Sequence, residues 1–143
     1  MNNGISFEAS HLLDRNDLTS WQYDIKETGG HEPYVEFELA SPSRVTELII
    51  RNGYWKISGK YDQYTRNGRV KDFEISFLYE GQSSFTDPCV YSLVDEKREQ
   101  TFALTCNGNV TAVRLTILST YRGTKFVDDV AMNDIWLMGY PAY

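Results

Sequence analysis

Polar and apolar side chains alternate with a period of two in well-separated stretches of this chain. In YVEFEL (Tyr34 to Leu39), Val35, Phe37 and Leu39 share one face and Glu36 and Glu38 the other. In VKDFEISFLY (Val70 to Tyr79), Phe73, Ile75, Phe77 and Tyr79 face inward, with Asp72, Glu74 and Ser76 outward. VTAVRLTIL (Val110 to Leu118) groups Val113, Leu115 and Ile117. This period marks half-buried strands, because successive Cβ atoms point to opposite sides of the pleat. RVTELIIR (Arg44 to Arg51), rich in β-branched residues, and VAMNDIWLMG (Val130 to Gly139) read as further strands. Turns are expected at Ser41-Pro42-Ser43, Glu80-Gly81-Gln82 and Cys106-Asn107-Gly108-Asn109. No segment carries a capped 3.6-residue apolar period; a single helical turn is expected within His11 to Thr19. Seven or eight short strands predict an all-β, antiparallel β-sandwich in one domain, residues 1–143. Its core is expected to hold Val35, Phe37, Ile50, Phe73, Ile75, Phe77, Leu115 and Ile117.

Charge changes the picture in one place. The chain carries net charge −6, yet between Arg51 and Lys71 six cations (Arg51, Lys56, Lys60, Arg66, Arg69, Lys71) face one acid, Asp62, for a local +5. Outside this stretch eight cations face nineteen acids. Tyr54, Trp55, Tyr61 and Tyr64 interleave with the basic residues. Flat aromatic faces beside cationic donors suit sugar rings, sulfates, phosphates and carboxylates. The segment from Tyr54 to Arg69 is also the longest irregular one between two strong strands, where binding loops commonly sit. We therefore take Tyr54, Trp55, Lys56, Tyr61, Tyr64, Arg66, Asn67 and Arg69 as candidate ligand-binding residues. A structural alternative has Tyr54 and Tyr61 pinning the loop while Arg66 and Arg69 pair with acids such as Glu74 or Asp128. The net acidity argues against a general nucleic-acid binder.

Several short motifs then fall into one order. They are DRNDLTSW (Asp14 to Trp21), YVEFEL, the strand-loop NGYWK…YTRNGRVK, a strand ending at Tyr79-Glu80-Gly81, and YRGTKFVDDVAMNDIWLMG (Tyr121 to Gly139). Together they resemble the discoidin, or coagulation-factor type C, superfamily, whose members are galactose-binding-like jelly-roll sandwiches. More narrowly they are similar to the glycan-binding translocation domain of bacterial NAD glycohydrolases. The resemblance implies a non-catalytic carbohydrate-binding module for a glycan or cell-surface ligand, accessory to a neighbouring enzyme or toxin domain. The alternative is a protein-interaction or scaffold domain with no sugar ligand. The resemblance also implies one structural calcium ion, with oxygens from Asp14, Asn16, Thr19 and Asp134. The chain departs from the family pattern at Arg15, where glycine is common, and at Asp134, where glutamate is. Without the ion, Asp14 would cap a helical turn and Thr19 would bond locally. Trp21 and Trp136 are read as core residues rather than ligand platforms.

No apolar run approaches the ~18 residues of a membrane span. MNNGISFEASHLL lacks the basic start and apolar stretch of a signal peptide. The expectation is a cytoplasmic protein, or a domain of a longer chain that is secreted or displayed on the cell surface. If Cys89 to Val94 and Thr101 to Cys106 formed a hairpin, Cys89 would face Cys106 and a disulfide would be allowed. The preferred alternative is two reduced cysteines on strands that do not pair with each other. No enzyme is expected. His11 and His31 have no nucleophile-elbow pattern beside them, and Asp128 and Asp129 would point to opposite faces of a strand.

Overall fold

The computed structural model describes residues 21–24 and 33–141. The elements are β1 (Trp21–Asp24), β2 (Tyr34–Asn52), β3 (Ile57–Ser58), β4 (Tyr61–Asp62), α1 (Gln63–Arg66) and β5 (Asn67–Val70). They continue with β6 (Asp72–Tyr79), β7 (Thr86–Ser92), β8 (Glu99–Ala103), β9 (Val110–Ile117), β10 (Thr120–Tyr121) and β11 (Phe126–Pro141). Hydrogen bonds link the strands in the order β10-β5-β11-β2-β9-β6-β7, with β1 added on β11 and β8 on β2.

Strand β2 makes this a folded-over sheet. Its first part, Tyr34 to Glu38, pairs antiparallel with β9; its second, Ser43 to Asn52, pairs with β11, and Glu47 to Arg51 also pair with β8. The two expected strands are thus one, and Ser41-Pro42-Ser43 is not a turn but the place where β2 changes partner. The β9 ladder slips there, between Glu38 and Ser43. Pro42 has no N–H to give a ladder, so it fits a residue lying between two partners. The converse holds for Val70 to Tyr79, which divides at Lys71. Val70 and Phe73 are both buried at a spacing of three, and Lys71 absorbs the change of face by bonding to Ser119 and Leu93.

All eight expected core residues are buried within one apolar cluster, which adds Leu48, Val113, Val130, Met132 and Ile135 among others. Ser76, expected outside, is buried as well. Its ladder partner Arg114 is bonded to Glu36 and held over the Tyr34 and Phe85 rings, which closes the outer face at that point. One pairing departs from the antiparallel expectation: β5 runs parallel to β11. Cys89 and Cys106 are free, since β7 pairs with β6 and β8 with β2, so the two strands never meet as a hairpin. The expected helical turn in His11 to Thr19, and both histidines, lie outside the described residues.

Candidate functional site

The chain leaves β2 at Asn52 and re-enters the sheet at β5, and buried polar side chains hold the intervening loop. The Asn52 amide closes the loop's base: Nδ2 donates to the Val70 carbonyl (2.7 Å) and Oδ1 accepts from the N–H groups of Val70 (3.1 Å) and Gly53 (3.0 Å). Gly53 has φ of +83°, and a Cβ there would lie 2.5 Å from the Tyr64 ring. Only glycine meets both conditions. The chain then forms the small β3–β4 hairpin and the single turn α1. Asp62 caps α1 by accepting from the Tyr64 N–H at 3.0 Å, and Asn67 closes it by donating from Nδ2 to the Gln63 carbonyl at 3.1 Å.

Beneath α1 lies the most heavily bonded side chain of the loop, Arg69, which is buried. Its Nε and Nη2 donate to the two carboxylate oxygens of Asp95 at 3.0 and 2.8 Å. Its Nη1 reaches the carbonyls of Tyr64, Thr65 and Asn67 at 3.0 to 3.3 Å. The Tyr64 hydroxyl donates to Asp95 at 2.8 Å. The Arg69 hydrogen bonds hold the Asp95 carboxyl below the usual carboxylate range, and burial, then Asp95, pushes the Tyr64 hydroxyl up. Lys97, from the same β7–β8 connection, donates to both oxygens of Asp62 at 3.2 Å.

Above α1 the surface is open. The Arg66 guanidinium lies 4.3 Å from the centre of the Tyr61 ring and 5.6 Å from that of Phe126. Tyr61 is 50% exposed and Phe126 40%. Lys60 Nζ stands 5.4 Å from the Tyr61 ring. The segment before β11 docks on this edge: the N–H groups of Thr124 and Lys125 donate to the carbonyls of Thr65 and Arg66 at 3.0 and 3.1 Å. Gly123 makes the approach possible, since a Cβ would sit 2.5 Å from the Arg66 carbonyl oxygen.

The eight candidate residues therefore divide. Tyr61 is exposed, and Arg66, Tyr54 and Lys56 are half-buried, with Arg66 against the Tyr61 ring. Tyr64, Asn67 and Arg69 are buried and hold the loop from inside. Arg69 does pair with an acid, and that acid is Asp95. Trp55 is intermediate: its indole N–H donates to the Asn52 carbonyl at 2.7 Å. The Arg51 guanidinium lies 4.9 Å from the Trp55 ring centre and 5.4 Å from that of Trp136. Trp136 is half-buried and helps line a small apolar pocket with Phe37, Leu39 and Leu137. Phe126, Lys125 and Asp95 join this region from elsewhere in the chain. YRGTKF did stand out as a motif, but nothing local marks Asp95 as the partner of Arg69.

A profile of the family described as NAD glycohydrolase translocation F5/8 type C domain matches residues 1–138. The chain belongs to this family. No curated protein matches it in sequence. Among solved structures, the F5/8 type C domain of a Bacteroides fragilis protein is similar with a TM-score of 0.66 at 17% identity, over 94% of this chain and 82% of its own. The family 32 carbohydrate-binding module of Clostridium perfringens NanJ, solved with galactose, has a TM-score of 0.64 at 15% identity, over 95% and 87%. Chitosan-binding module 1 of a Paenibacillus sp. IK-5 chitosanase/glucanase has 0.63 at 15%, over 93% and 86%. The fold is thus the discoidin-like, galactose-binding-like sandwich that the sequence motifs implied.

Of the four calcium ligands implied by resemblance, Asp14, Asn16 and Thr19 lie outside the described residues. Asp134 is fully buried on β11, where its ladder partner is Arg51. Arg51 Nη1 stands 3.8 Å from Asp134 Oδ2, and Asn133 Nδ2 donates to the same oxygen at 3.0 Å. Arg51 and Asn133 thus hold Asp134 Oδ2, and the other three residues of the implied calcium set are not among those described. Among the described residues, no three His, Cys, Asp or Glu side chains group as metal ligands.

Proposed function

We propose that this domain is a non-catalytic carbohydrate-binding module that recognises an anionic glycan through Tyr61 and Arg66, with Tyr54, Trp55 and Lys56 as flanking contacts. The observation that carries the reading is the pair itself. Tyr61 is half exposed, and Arg66 lies against it with no acidic partner among the described residues. A ring face takes the apolar side of a sugar, and a stacked guanidinium keeps its in-plane donors free for a carboxylate or sulfate. Similarly folded domains solved with galactose or described as chitosan-binding support the ligand class. The family's description supports a neighbouring NAD glycohydrolase in a longer, exported chain.

The test is an array of neutral, sulfated and uronate-bearing glycans, followed by titration of the best ligand. Tyr61→Ala and Arg66→Ala should each weaken binding by about 1–3 kcal/mol while the melting temperature changes little. Both side chains lie outside the buried network, which makes them cleaner probes than Trp55, whose indole N–H is bonded to the backbone. Variants that bind like the parent but melt much lower would make the loop structural.

A single calcium ion held by Asp14, Asn16, Thr19 and Asp134 is a separate part of the proposal and rests on the resemblance. Its role would be to tie that segment to the sandwich. Excess calcium should then raise the melting temperature by mass action. Asp134→Asn should diminish that rise, because the implied ligand set draws one oxygen from Asp134 on β11. A melting curve that neither calcium nor a chelator moves removes the ion.

A further inference from the structure

Resting on the glycan reading above, we propose that Arg122, Lys125 and Phe126 extend the loop site into one cationic strip for a repeating polyanionic glycan. Its ligand is a sulfated or uronate-bearing chain several sugars long rather than one terminal sugar. The strip has four cations from two loops far apart in the chain. Lys60 and Arg66 come from the β3–α1 region; Arg122 and Lys125 come from the segment leading into β11. None of the four makes an ion pair among the described residues.

Two acids of the loop network are already paired elsewhere. Asp62 is taken by Lys97, and Asp95 by Arg69. Four like charges with no ion-pair partner among the described residues repel each other, and a polyanion relieves that repulsion along its whole length. One anionic sugar can satisfy only part of it.

The spacing of the strip is built in. The Lys125 N–H is bonded to the Arg66 carbonyl at 3.1 Å, and Gly123 packs directly on the Arg66–Gly68 backbone. The Arg66 guanidinium lies 4.3 Å from the Tyr61 ring centre and 5.6 Å from that of Phe126, so it has an aromatic neighbour from each loop. Such stacking holds its plane while leaving its edge open for two-point contact with a sulfate or carboxylate.

The experiment titrates heparin oligosaccharides of increasing length, hyaluronan and neutral dextran into the domain at several salt concentrations. Affinity for the heparin series should rise with length until the strip is spanned. The double variant Arg122→Gln/Lys125→Gln should bind the longest chain about 5-fold more weakly. Its salt dependence should fall by about two, one for each lost ionic contact. Both side chains are exposed, so its melting temperature should match the parent's. Unchanged affinity and salt slope in the double variant, or binding independent of chain length, would overturn the strip. A parent that binds only neutral glycans overturns the strip and the anionic ligand, and leaves only the carbohydrate-binding class standing. A parent that binds no sugar, or binds anionic lipid vesicles in place of heparin, overturns both.

Discussion

Asp95→Ala is expected to destabilise the protein by about 2–4 kcal/mol, read as a lower denaturation midpoint at unchanged slope. Removing one partner of a buried ion pair costs about 3–5 kcal/mol, because the other charge is left in the interior. Here the Arg69 side chain is 8% exposed but that of Asp95 is 36%, so solvent screens part of the interaction and lowers the range. The Tyr64 hydroxyl loses its acceptor in the same step. Because Arg69 also binds three carbonyls at and after α1, the variant should lose glycan affinity although Tyr61 and Arg66 are untouched.

The pH dependence follows from the same contacts. Asp95 is held below its ordinary range, chiefly by the Arg69 hydrogen bond, so its contribution is complete above the unfolded value of about 3.9. It is lost as pH falls through the lower folded value. Tyr64 is raised above the ordinary 10.0, chiefly by burial, so its contribution is complete below that pH and lost only in stronger alkali. Neither tie titrates near neutrality. A parent and an Asp95→Ala variant with identical midpoints at pH 7 would show that the loop does not depend on this pair.

Phe77→Ala should cost about 3–5 kcal/mol in the same assay, the range for emptying a fully buried aromatic site. Phe77 is 2% exposed on β6, between ladder partners Val113 of β9 and Thr86 of β7, with the Tyr79 ring 5.9 Å away. Strands on both sides leave little room for collapse into the cavity. Phe126→Ala is the matched control: the same side-chain change at a 40% exposed site should cost about 1 kcal/mol or less. Equal losses at the two positions would mean that the inward face of β6 is assigned wrongly.

The alternation of Phe73, Ile75 and Phe77, and of Val113, Leu115 and Ile117, was enough to place both strands and their buried faces. Side-chain direction along a strand is a local property with a period of two, so a pattern within one segment reports it. The concentration of charge and aromatic rings between Arg51 and Lys71 likewise marked the loop, and the ordered motifs marked the family. The division of labour inside the loop was not legible. Arg66 and Arg69 are three residues apart and chemically identical, yet one stacks on an exposed tyrosine and the other is buried on Asp95. Strand partners did not show either: β2 appeared as two strands because Pro42 looks like a turn when its change of partner cannot be seen. Tertiary structure decided these points because each depends on which distant segment arrives opposite a residue. Asp95 reaches Arg69, Arg51 reaches Asp134 and Phe126 reaches Arg66 through the pairing of whole strands and the packing of their loops. No local spacing encodes those distances.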